Sequence, residues 1–91
     1  MVRNAVAEAH RHFGRLDVVL NNAGYAFVGA IEQARLEDVK AEFETNFFGA
    51  LRVIQAALPI LRSQNCGHIL GVSSVAGIVA GPMTGFYNAS K

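Results

Sequence analysis

Charge is scarce in this sequence. Of its 91 residues only 16% are Asp, Glu, Lys or Arg, while 52% are hydrophobic. Domains typically carry about 25% charged residues, and a short chain, which keeps much of its surface exposed, needs more than that average. Part of the apolar surface is therefore expected to be covered by something outside these residues. The formal charge of +1 gives no electrostatic footing for nucleic acid or an acidic membrane face, so neither is expected as a partner. Cys66 is the single cysteine, so no internal disulfide forms, which favours a reducing compartment and a cytoplasmic location. Its neighbours Asn65 and Gly67 suit an inert loop thiol better than a nucleophile. His10 and His12 are two residues apart in a helical pattern, so they do not face each other and make no metal pair. Long apolar runs are missing too. The first residues, Met1 to His10, lack the apolar core of a secretory signal. Ile69 to Ser90 holds no charged residue, but Gly71, Gly77, Gly81, Pro82 and Gly85 interrupt it too often for a membrane span. No internal repeat or low-complexity tract is present.

What is there reads as alternating helix and strand. Val2, Ala5, Val6, Ala9 and Phe13 fall at helical spacing, and Gly14 is placed to stop that helix. No N-cap precedes it, so the pattern begins partway through an element. Leu16 to Leu20 is short, apolar and β-branched, as in a strand buried on both faces of a parallel sheet. It runs into Asn21-Asn22-Ala23-Gly24, where small residues let a backbone come close to a ligand. An ordinary turn is the alternative there. Tyr25 to Ala34 reads as loop. A long helical pattern follows through Leu36, Val39, Phe43, Phe47, Ala50, Val53, Ile54, Ala57, Leu58 and Leu61. Asn46 interrupts it, either at a kink that turns its amide toward a site or as the cap of a second helix. Pro59 is expected to bend or loosen the last turns. Phe43, Phe47 and Phe48 are core or interface aromatics. Gly67 to Ser74 reads as a second buried strand, followed by a glycine-rich loop and a helix start. Two strands joined by a long helical crossover imply an α/β fold with parallel neighbours and a right-handed connection.

The last eighteen residues carry the chemistry. Ser74, Tyr87 and Lys91 are set out as S-x12-Y-x3-K. Tyr87 and Lys91 share one face of a helix, and Ser74 lies at a strand end, where open α/β sheets place their ligands. A phenol is a weak acid, but an ammonium about 4 Å away at an effective dielectric near 20 is worth about 4 kcal/mol, enough to bring it into use near neutrality. The serine hydroxyl then holds and polarises the oxygen that the phenol protonates or deprotonates. Taken alone, Y-x3-K is common on solvated helices.

In company it is not. Asn21-Asn-Ala-Gly24, the Asn46 of Thr45-Asn-Phe-Phe-Gly49, Ser73-Ser-Val-Ala-Gly77 and Tyr87-Asn-Ala-Ser-Lys91 follow one another in the order and spacing of a known family. The chain resembles the central part of the short-chain dehydrogenase/reductase family, classical subgroup. Phe13-Gly-Arg-Leu-Asp17 resembles the family's approach to its strand. The resemblance implies part of a single Rossmann-like, doubly wound parallel sheet, residues 1–91 being an incomplete domain. It implies that Tyr87 is the catalytic acid/base and that Lys91 makes the phenol a readier proton donor and holds the nicotinamide ribose. Ser74 would bind the substrate carbonyl or hydroxyl, and Asn46 would hold a water linking Lys91 to solvent. Asn22, Ala23 and Gly24 would line the cofactor, NAD or NADP, with Asn21 more structural. The reaction implied is reversible hydride transfer between an alcohol and a ketone or aldehyde, in a homo-oligomer. The residues hold neither the family's glycine-rich phosphate loop nor its substrate-binding part after Lys91, so the chain alone is expected to be inactive. Sugar-nucleotide epimerisation or dehydration, which also uses a Tyr/Lys pair, and a non-catalytic binding module are the alternatives.

Overall fold

In the computed structural model, which describes residues 1–91, the helical and strand patterns become four α-helices and two strands. In chain order these are α1 (Val2–Phe13), β1 (Val18–Asn21), α2 (Leu36–Phe43), α3 (Ala50–Gln64), β2 (His68–Gly71) and α4 (Gly85–Ser90). A π-helical segment, Glu44–Gly49, stands between α2 and α3, and 3-10 turns occupy Ile31–Gln33 and Val75–Gly77. The chain divides into two compact units. One comprises Met1–Asn22 with Gly49–Val72, the other Ala23–Phe48 with Ser73–Lys91. No helix is long and apolar enough to cross a membrane.

The first unit is a small parallel sheet with helices on it. β1 and β2 pair in parallel, from Val18 opposite His68 to Asn21 opposite Gly71. The His68 amide donates to the Asp17 carbonyl and the Val72 amide to the Asn21 carbonyl, each at 2.8 Å. The strand therefore begins two residues later than its apolar pattern suggests and takes in Asn21. Gln64, the last residue of α3, accounts for the late start. Its side-chain amide accepts from Leu16 N at 2.9 Å and donates to Leu16 O, doing for Leu16 what a neighbouring strand would do. α3 packs against both strands and against α1, with Ala57 and Leu61 as the buried core. Only one sheet face is covered. Val19 and Ile69 are half-buried, while Val18 and Leu20 remain 58% and 61% exposed. The expectation of a strand buried on both faces is thus not met within these residues.

Helix ends follow their local chemistry. Gly14 stops α1 in the left-handed conformation, φ 79°, its amide donating to His10 O at 2.8 Å. Pro59 lies inside α3, which nevertheless continues to Gln64, so the proline does not end it. Asn65 closes α3 in the left-handed region, and Gly67 follows at φ 147°. A Cβ on Gly67 would stand 2.6 Å from Cδ2 of the buried Leu61. Gly67→Ala therefore combines backbone strain with overpacking, and a loss of about 1–3 kcal/mol is expected. Urea unfolding measures it, and an unchanged midpoint would mean that Leu61 simply moves aside. Nearby, Asp17 accepts from Arg15 Nε at 2.9 and 3.0 Å. This hydrogen bonding, then the carboxylate charge, holds the guanidinium above its usual value. Both partners are exposed, so the pair contributes little to stability. Cys66 is a free, exposed thiol.

In the second unit the expected loop from Tyr25 to Ala34 contains the short 3-10 turn. The long helical pattern does not continue as one α-helix, because the π segment replaces the α geometry around Asn46. Single-turn π segments recur at functional sites. Here the amide of Asn46 bonds outside the helix, to the Tyr25 backbone and to Ser90. Asn46 is not the cap of α3, whose N-cap is Gly49 with no side-chain bond. α2 packs against α4. Phe47 and Phe48 are exposed, edge to face at 5.2 Å between ring centres, so they are not core within these residues. Glu42, one turn before Asn46, is fully buried with neither carboxyl oxygen hydrogen-bonded. An orphaned buried polar group of this kind is rare in folded proteins.

Candidate functional site

Asn46 is the centre of the second unit's polar structure. It is 7% exposed, and its amide is almost fully used. Oδ1 accepts from Tyr25 N at 3.0 Å, and Nδ2 donates to Tyr25 O at 2.8 Å and to Ser90 Oγ at 2.9 Å. A primary amide can make two donations and two acceptances, so one lone pair on Oδ1 is left. The two bonds to Tyr25 imitate a strand neighbour and fix the backbone directly after Ala23-Gly24. The third bond reaches α4, between Tyr87 and Lys91.

Gly24 stands at that junction. A Cβ on it would lie 3.0 Å from Asn46 Oδ1 and 3.3 Å from Lys91 Nζ. The amide oxygen and the ammonium therefore converge on space that only glycine leaves open. Asn22 belongs to the first unit and is exposed immediately after β1. Asn21 is half-buried and donates from Nδ2 to Ala50 O at 3.3 Å, a structural bond.

α4 presents the Tyr–Lys pair. Its helical turn is closed by Lys91 N donating to Tyr87 O at 3.1 Å, which sets the two residues one turn apart. Both are half-buried. Asn88 holds the preceding turn from the other side, donating to Ala76 O at 2.7 Å and to Val79 O at 3.0 Å. The serine pair approaches the same helix end. Ser73 Oγ donates to Lys91 O at 3.3 Å, and a Cβ on Gly77 would come within 2.8 Å of that carbonyl oxygen. Ser74 is half-buried and caps the 3-10 turn, its Oγ accepting from Ala76 N at 3.2 Å. That bond uses the hydroxyl as an acceptor and leaves its hydrogen to donate. The Ser74 hydroxyl is thus bonded to its own loop and not to Tyr87. Tyr25, Ser73 and Ser90 are the polar participants that the motif reading leaves without a role. Ser73 and Ser90 had a visible signal, each a small hydroxyl residue inside a quoted motif, whereas Tyr25 had none.

A family profile described as short chain dehydrogenase matches residues 1–91. The chain belongs to that family. Among its relatives, it is 46% identical over 90 residues to the oxidoreductase BOA17 of Botryotinia fuckeliana (strain B05.10), a match covering 99% of this chain and 33% of that protein. Among solved structures, an NAD+-bound xylitol dehydrogenase superposes with a TM-score of 0.93 at 31% identity, covering 99% of this chain and 35% of the other. ElxO with NADP bound does so at 0.92 and 29%, covering 98% and 36%. The chain thus spans about a third of the length of the relatives it matches. These neighbours establish the α/β Rossmann fold of which the two-stranded parallel sheet is a part.

Proposed function

We propose that the protein carrying this chain is an NAD- or NADP-dependent oxidoreductase that interconverts a small-molecule alcohol and a ketone or aldehyde, with Ser74, Tyr87, Lys91 and Asn46 as its proton relay. The observation that carries this reading is the buried Asn46 amide. It ties Tyr25, directly after Ala23-Gly24, to Ser90 in the helix turn holding Tyr87 and Lys91, so residues distant in sequence share one polar centre.

The residues fit a nicotinamide cofactor on a structural ground. The backbone of Ala23-Gly24 is exposed and carries no side chain larger than methyl, and the space beside Gly24 opens on Lys91 Nζ and Asn46 Oδ1. Asn22, Ala23 and Gly24 would line the cofactor, with Tyr87 and Lys91 on its ribose. When bound, it supplies or accepts the hydride at the substrate carbon. The chain's own residues manage the oxygen. In the reducing direction Ser74 donates its free hydroxyl hydrogen to the carbonyl oxygen, and Tyr87 delivers a proton to it. Lys91 favours the phenolate left behind. A water between Lys91 Nζ and the open lone pair of Asn46 Oδ1 returns a proton from solvent. In the oxidising direction each transfer reverses. The exposed Phe47 and Phe48 suit a homo-oligomer interface, and the cytoplasm suits the single free thiol.

The test uses the longest reading frame that contains this chain. Its purified product is mixed with NADH or NADPH and a panel of ketones and aldehydes, and loss of reduced cofactor is followed. Cofactor-dependent turnover is expected from that product and none from the 91-residue chain alone, which holds no phosphate-binding glycine loop. A product that neither binds nor oxidises NAD(P)H would end the reading. Turnover by the short chain at the rate of the whole would refute its inactivity.

A further inference from the structure

Ser90 sits between the two residues that the relay needs, yet it is the least exposed of them, at 7%. α4 is a single short helix of six residues, Gly85–Ser90, whose final turn carries Tyr87 and Lys91. Its last backbone bond, Lys91 N to Tyr87 O, is 3.1 Å long. Such short ends fray unless something else holds them. The Ser90 hydroxyl supplies that hold in two directions. It accepts from Asn46 Nδ2 at 2.9 Å and donates to Tyr87 O at 2.9 Å. Tyr87 O therefore receives two donors, one from the Lys91 backbone and one from Ser90. A continuous line of hydrogen bonds runs from the Tyr25 backbone through the Asn46 amide and the Ser90 hydroxyl to the carbonyl of Tyr87.

We infer that Ser90 is a positioning residue for the proton relay, coupling the loop after Gly24 to the pitch of the helix turn that presents Tyr87 and Lys91. This rests on the oxidoreductase reading above. A hydroxyl suits the place because it must accept on one side and donate on the other. Alanine can do neither, while threonine keeps both functions and adds one methyl group. Loss of the hydroxyl leaves one N–H of Asn46 unpaired in a buried position, with the amide held by its two bonds to Tyr25 alone. Its bond to the Tyr25 amide loosens as a consequence, so the effect of the substitution is transmitted to residue 25.

Ser90→Ala and Ser90→Thr, made in the full-length protein, test the coupling through two independent readouts. Expected for Ser90→Ala is a fall in kcat of about tenfold with a clearly smaller change in KM for NAD(P)H, since Asn22, Ala23 and Gly24 are untouched and only the turn carrying Tyr87 and Lys91 is loosened. Hydrogen exchange at the Tyr25 amide is expected to accelerate by about tenfold in the same variant. Ser90→Thr recovers most of both losses. If its added methyl prevents folding, Ser90→Ala still decides by the two readouts. Wild-type kcat and wild-type Tyr25 exchange in Ser90→Ala would overturn the proposal. So would a loss of activity matched by a proportional loss of folded protein, the signature of a purely structural role. If the unmodified protein shows no NAD(P)-dependent turnover, the oxidoreductase reading fails by itself. The exchange measurement then decides whether Ser90 couples to residue 25 at all.

Discussion

Tyr87→Phe in the full-length protein is expected to lower kcat by roughly 10²–10⁴-fold, the usual contribution of a positioned acid/base, while NAD(P)H binding changes little. The substitution is informative because of how Tyr87 is held. Its structural bonds within α4 run through its backbone carbonyl, which accepts from Ser90 Oγ at 2.9 Å and from Lys91 N at 3.1 Å. Phenylalanine keeps that carbonyl, the ring and the helix. Only the hydroxyl is lost, so a fall in rate reports on proton transfer and not on the fold. Steady-state kinetics together with fluorescence titration of NADPH separate the two quantities. A kcat near that of the unmodified protein would remove Tyr87 from the mechanism. Equal losses of binding and turnover would instead assign it to holding the cofactor.

The sequence disclosed features that depend on side-chain identity and hid those that depend on backbone. Gly14 announced the end of α1 because only a residue tolerant of positive φ serves there. The Y-x3-K spacing placed Tyr87 and Lys91 one turn apart because a helical turn fixes that separation. The π segment was invisible as geometry. Phe43, Phe47 and Ala50 keep spacings of four and three through Glu44–Gly49, so the apolar pattern reads as unbroken helix. Only the polar Asn46 marked the place. Tyr25 enters the site through its N–H and C=O, groups that any residue there other than proline would offer, so no motif could point to it. The start of β1 shifted because a side chain far along the chain, Gln64, satisfied Leu16. The low charge content does find its counterpart in the structure. Val18, Leu20 and Leu70 on the two strands are all exposed, so the scarcity of charge goes with apolar side chains left on the surface of these residues.

Asn46→Asp is expected to cost about 2–4 kcal/mol of stability near neutral pH and to reduce turnover with it. The two side chains have nearly the same shape, so packing is preserved and the change is one of donors alone. The carboxylate keeps an acceptor for Tyr25 N but has no N–H to give. Tyr25 O, 2.8 Å from Nδ2, would face a second oxygen bearing negative charge. Ser90 Oγ would have to donate to the new carboxylate or to Tyr87 O, and could not serve both. The pH dependence has a definite sign. Burial raises the pKa of the introduced carboxyl in the folded state above its unfolded value of about 4. Its neutral form can donate one hydrogen bond, so the deficit is smallest in acid and grows as pH rises through the folded pKa. Urea midpoints of both proteins across that range, with kcat measured alongside, distinguish two roles for Asn46. A residue that only orients a water would leave the midpoints together and lower kcat alone. The clamp between Tyr25 and Ser90 requires both to fall, and the gap in stability to widen toward neutrality.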